Sequence, residues 1–149
     1  MEKELIQKTE RRLRMYMLLQ INIRNIEDDI EKLRSQKESI AGGLIKIQSK
    51  NYNNDNDNFR LAAIEEKIEK KQDLRERLRV EFEEIERAIE QVRYDEYFFV
   101  IEEYYLKCQT IQNILDKEFI SRSTFFSVRN RLLKRIGLFL YPELVLDFC

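Results

Sequence analysis

Asn51-Tyr52-Asn53-Asn54-Asp55-Asn56-Asp57-Asn58 interrupts a chain that otherwise reads as helix. Six Asn and Asp residues in succession compete with the helical backbone for hydrogen bonds and favour turns. The stretch 51–58 is therefore expected to reverse the chain. On its amino-terminal side, Leu19, Ile23, Ile26, Ile30, Leu33, Ile40, Leu44 and Ile47 step by threes and fours, with Lys37 in the one missing step. On the other side the series is Leu61, Ile64, Ile68, Leu78, Phe82, Ile85, Ile89 and Val92, with Lys71 and Arg75 in the gaps. Each is the seam of a coiled coil. A reversal centred on 51–58 places opposite each other residues whose numbers sum to about 108. Ile47 then meets Leu61, Leu44 meets Ile64, Ile40 meets Ile68, Ile30 meets Leu78, Ile26 meets Phe82, Ile23 meets Ile85 and Leu19 meets Ile89. Leu33 faces Arg75. Lys37 and Lys71 share a layer, and their stems must snorkel toward Glu38, Glu31 or Glu69. The expectation is an antiparallel helical hairpin over residues 1–93.

Composition points the same way. Of 149 residues 37% are charged, and three glycines and one proline offer few places to break a helix. Long helices built from Glu, Lys, Arg, Leu and Ile, and an all-α fold, follow. The net charge of −1 is unevenly spread: from Phe119 to Ile136 there are five basic residues and no acid, leaving −6 on the rest. A basic cluster in an acidic chain suits a face that meets a polyanion, although a solvated helix flank would also carry one.

From Tyr94 onward the composition changes, with Tyr94, Tyr97, Phe98, Phe99, Tyr104 and Tyr105 close together. Aromatics this dense suit the core of a small unit, expected over residues 94–149. Within it Thr110 can cap a short helix running to Glu118, with Ile111, Ile114 and Leu115 inward. Phe119 and Ile120 make an apolar turn. Ser121 caps a second helix whose inner face is Phe125, Val128, Leu132, Leu133 and Ile136. Two short helices joined by a tight turn, the second basic, form the grammar of a helix-turn-helix. Off the core face lie Arg122, Ser123, Thr124, Phe126, Ser127, Arg129, Asn130, Arg131 and Lys134, the expected DNA-binding residues. Arg122, Arg129, Arg131 and Lys134 suit phosphates, which position without specifying.

Ile120 to Ile136 resembles the recognition helix in the fourth region of bacterial sigma factors. Over nearly the whole chain the sequence resembles the RinA/ArpU-like phage transcriptional regulators, in which a charged helical part precedes a sigma-70 region 4-like end. Glu86 to Tyr105 and Ile114 to Leu138 carry the likeness, and Ile120-Ser121-Arg122-Ser123-Thr124-Phe125-Phe126 is its most specific run. The departures are Glu118, where such domains usually carry an apolar residue, and Phe119, where they often carry glycine. The resemblance implies an activator of late or packaging genes in a phage or prophage. It also implies that Ser123, Thr124, Phe126 and Ser127 face the bases, with a thymine methyl a target for Phe126 or Thr124.

Other chemistry finds little footing. There is no histidine, the commonest general base and metal ligand. Cys108 and Cys149 lack zinc-ligand spacing and read as a small core residue and a terminal one. No nucleophile–base pair or phosphate-cradling glycine loop is present, so neither an enzyme, a cofactor nor a metal is expected. No signal peptide or membrane span is discernible, and a cytoplasmic location follows. The expected partner is double-stranded DNA, with RNA polymerase and a homo-oligomer as further candidates and no membrane. A small terminase subunit or a coiled-coil protein-interaction adaptor are the competing readings.

Overall fold

The computed structural model describes the backbone of residues 2–48 and 55–145, and the side chains of 2–43 and 56–144. Every regular element among them is helical. They are α1 (Glu2–Arg14), α2 (Tyr16–Gln48), α3 (Asp55–Glu90), α4 (Phe99–Ile101) running into a π-helical turn (Glu102–Leu106), α5 (Ile111–Glu118), α6 (Arg122–Leu140) and α7 (Pro142–Val145). The all-α expectation holds. Among the described residues no helix is long and apolar enough to cross a membrane.

The chain divides into two compact units, Met1–Gln20 with Glu81–Cys149, and Ile21–Val80. This differs from the expected division at residue 93, because α1 and the end of α3 fold with the carboxyl-terminal helices. The aromatic-rich stretch marks a change in composition, not the place where packing changes. Helix α1 carries an apolar stripe of its own, Leu5, Thr9 and Leu13, each fully buried. A single amphipathic helix must bury such a stripe against another element, and α1 packs on α6.

Gly137 permits the approach. A Cβ there would collide with Thr9 Oγ1 and lie 2.9 Å from Leu5 Cδ1. The Thr9 hydroxyl donates to the Leu5 carbonyl at 2.8 Å, so its burial leaves no unpaired donor. Ile85, Ala88, Val100, Ile101, Phe125, Leu132, Leu133 and Ile136 complete a core from which solvent is excluded. At its edge Tyr16 stacks on Phe82, ring centres 4.9 Å apart. Burial and a hydrogen bond to Glu86 push the Tyr16 hydroxyl up to about 12.

The second unit is the pair α2 and α3 between Ile21 and Val80. Ile26, Ile30, Ile64 and Ile68 form its core, with Leu33, Ile40, Leu74 and Leu78 packed against them. The helices do pair within the chain, but the register differs from the expected one. Lys37 Nζ lies 2.8 Å from Glu65, and Lys71 Nζ lies 3.2 Å from Asp29. Facing numbers therefore sum to 100–102, about one heptad less than expected. Phe82, expected opposite Ile26, instead stacks on Tyr16.

The difference begins at the start of α3. Asp55 to Asn58, read as loop, are the first residues of α3. Carboxylates at a helix amino terminus are favoured by the macrodipole, so α3 begins within the stretch expected to be loop. Lys37 and Lys71 consequently do not share a layer, and each has a carboxylate partner other than those expected. The expected pairs through Leu44 and Ile47 rest on side chains outside the described ones, and residues 49–54 lie outside the described residues altogether.

Candidate nucleic-acid interface

Local chemistry builds α5 and α6 as the sequence suggests. Thr110, in extended backbone, accepts a hydrogen bond from the Asn113 amide at 3.2 Å and caps α5. Ser121 accepts from the Thr124 amide at 3.1 Å and caps α6, and its hydroxyl donates to Thr124 Oγ1 at 2.9 Å. The turn between them forms by placing Phe119 in the left-handed region, φ 54° and ψ 44°. Glycine takes this conformation without a steric penalty and other residues do not. The Phe119 ring gains nothing in return, for it is 94% exposed.

Helix α5 is tied to the π-helical turn by Lys117, whose ammonium lies 3.1 Å from Glu103. Hydrogen bonds from Lys117 and Lys107 outweigh burial and hold the Glu103 carboxyl below its ordinary value. Helix α6 buries Phe125, Val128, Leu132, Leu133 and Ile136, the five positions expected, together with Gly137 and Leu140. Phe125 meets the rings of Tyr104 and Phe126 edge-on, at 5.5 and 5.4 Å.

The structure separates the nine expected DNA-binding residues into two groups. Arg122, Ser123, Ser127, Asn130 and Arg131 are exposed, while Thr124, Phe126, Arg129 and Lys134 are half-buried. Three of the four cations expected at phosphates are engaged by carboxylates. Arg131 forms a two-pronged pair with Asp95, at 2.7 and 3.1 Å. That hydrogen bond holds the Asp95 carboxyl low despite desolvation. Lys134 lies 3.1 Å from Glu2. Arg129 lies 3.6 Å from Glu10, hydrogen-bonds its neighbour Asn130, and covers the Phe126 ring with its guanidinium at 4.9 Å. Arg122 has no ion pair or hydrogen bond among the described residues.

Glu10 is a node between α1 and the rest of its unit. Burial alone would raise its carboxyl, but hydrogen bonds from Tyr105 (2.6 Å) and Arg14 (3.1 Å), with the charges of Arg129 and Arg14, hold it below the ordinary value. Burial and this bond push the Tyr105 hydroxyl well up. Sequence reasoning missed Glu2, Glu10 and Asp95 because each meets its cation across a long loop of chain. The usable signal was the Leu5, Thr9, Leu13 stripe, which requires α1 to dock somewhere.

Two other residues sit differently from expectation. Tyr94 is 95% exposed and contributes nothing to the core, whereas Phe98 and Tyr105 are buried. Cys108 is exposed, with φ 55°, and is not a core residue. Cys149 lies outside the described residues. Among the described residues no three His, Cys, Asp or Glu side chains are placed to hold a metal ion. No protein family, curated protein or solved structure was found to match the chain.

Proposed function

We propose that the chain is a sequence-specific DNA-binding transcriptional regulator that presents α6 to the major groove. The observation that carries this reading is the pair of capped helices α5 and α6 with an exposed α6 face of Arg122, Ser123, Ser127, Asn130 and Arg131, to which α6 itself contributes no acid. Small hydroxyl side chains near the start of such a helix, here Ser123 and Ser127, suit base edges, and the flanking arginines suit phosphates. A role as activator of phage or prophage late genes rests on the resemblance to RinA/ArpU-like regulators alone.

The carboxylate partners shape the test. Arg131 and Arg129 must exchange Asp95 and Glu10 for phosphate, so their contribution is smaller than that of free arginines. Arg122 has no such competitor. Genomic fragments bound by the protein are to be selected and their affinities measured against salt. Arg122→Ala should weaken all fragments alike and reduce the log–log salt slope by about 0.9. Asp95→Asn, which releases Arg131, should raise affinity and steepen that slope by about the same amount. Ser127→Ala should alter which fragments are preferred. Absence of DNA binding at low salt, or indifference to all three substitutions with the helices intact by circular dichroism, would exclude α6 as the DNA surface.

A further inference from the structure

We propose that the second unit carries a docking groove for an acidic amphipathic helix of a partner protein. Two helices alone cannot enclose a seam. Among the described residues of this unit only Ile26, Ile30, Ile64 and Ile68 fall below a tenth exposed, and Leu33 and Leu74 remain partly open. Those two leucines lie in a groove of about 440 Å³ between α2 and α3. Lys32, Lys67, Lys70 and Lys71 also line it, with Asp29 as its single acid, so the lining carries a net +3 in a chain whose total is −1.

The cations are not all spent within the molecule. Lys71 is paired with Asp29 and Lys70 with Glu66 at 3.1 Å. Lys32 and Lys67 have no ion pair or hydrogen bond among the described residues. An apolar floor flanked by four ammonium groups, two of them without an ion pair among the described residues, is complementary to a leucine stripe flanked by carboxylates. A helix lying along two antiparallel helices would present that stripe at i, i+3 or i+4, and i+7. Nucleic acid would use the lysines but has no apolar stripe for Leu33 and Leu74. The proposal is independent of what α6 binds.

The probe is a fluorescent peptide of about five helical turns with leucines on one face and glutamates elsewhere. It is titrated against the full chain beside a peptide of the same composition with its leucines scattered. The amphipathic peptide should bind at least about tenfold more tightly than the scattered one, because uniform charge attraction cannot distinguish them. Lys32→Glu with Lys67→Glu should weaken it by about tenfold at low salt and less at high salt. Leu33→Ala should weaken the amphipathic peptide and leave the scattered one unchanged. Lys32 and Lys67 are exposed, so the double variant retains its fold if Leu33→Ala does not. No binding, equal affinity for the two peptides, or indifference to the double lysine variant would overturn the proposal. So would a concentration-dependent dimer of the chain abolished by that variant, which would make a second copy the occupant.

Discussion

The two units bury their side chains to different degrees by different means. In the unit that holds α6, side chains from α1, α3, α4 and α6 converge, and Leu5, Leu13, Ile85, Phe125, Leu132 and Ile136 are wholly hidden from solvent. In the α2–α3 unit the best-hidden of the described residues, Ile30, Ile26, Ile64 and Ile68, range from 2 to 9% exposed along a single seam. An irregular core admits one arrangement, since each side chain meets a differently shaped neighbour. A heptad seam looks alike every seven residues. The first architecture specifies position through shape, and the second specifies only which faces meet.

The largest test of this contrast removes one isoleucine from each unit. Ile136→Ala should cost about 4 kcal/mol, near the upper range for a large-to-small change in a closed core. Ile68→Ala should cost about 2 kcal/mol, because a two-helix seam open at its flanks can collapse around the missing methylenes and was never fully dry. Urea unfolding followed by circular dichroism measures both. Equal costs would mean that the seam is as closed as the core.

A subtler probe adds one methyl. Gly137→Ala gains about 1 kcal/mol in helix propensity, yet its Cβ collides with Thr9 and crowds Leu5. The backbones of α1 and α6 must move apart, so the net result should be a loss of about 1–3 kcal/mol. Unchanged or increased stability would show that α1 is only loosely held. The same change at Gly42, where an added Cβ meets nothing within 4 Å, should stabilise by about 1 kcal/mol.

Protonation loosens the same α1 contact. The Glu10 carboxyl is held below its ordinary value of 4.5 in the folded state. Its stabilising contribution is present above that ordinary value and is lost as the pH falls through the depressed folded value. Tm should therefore decline on acidification below about pH 4.5. Glu10→Gln should cost about 1 kcal/mol at pH 7, a charge-assisted hydrogen bond discounted for partial exposure, and should flatten the acid limb. A variant whose acid limb matches that of the parent would remove Glu10 from the cause.

What was legible in the sequence follows the range of the interaction. Thr110 and Ser121 cap residues three positions away, and the α6 core recurs at helical spacing, so both could be read locally. The docking of α1 against Gly137, and the pairing of Arg129 with Glu10, join parts of the chain that no local pattern connects. The seams of α2 and α3 were legible as seams. Their register was not, because sliding one by seven residues still lays several apolar residues against apolar ones, although Lys37, Lys71 and Arg75 then each meet an isoleucine. The difference lay with Asp55 to Asn58, whose side chains suit a helix amino terminus as well as a turn.

The smallest predicted effect bears on that register. Were Lys37 and Lys71 to face each other, replacing both by leucine would relieve a like-charge layer and join two apolar side chains. The gain would then exceed the sum of the single changes by about 0.5–3 kcal/mol, as for residues in contact. In the structure they pair instead with Glu65 and Asp29. Facing positions that sum to 100–102 set Lys37 near Ile64 and Lys71 near Ile30, about seven residues or 10 Å apart along the seam. Each leucine should therefore act alone. It adds buried apolar surface beside one isoleucine and gives up a partly exposed ion pair worth about 0–1 kcal/mol. Lys37→Leu and Lys71→Leu should then combine additively within about 0.5 kcal/mol. A coupling clearly above that limit would restore the lysine layer and shift α3 by a heptad against α2.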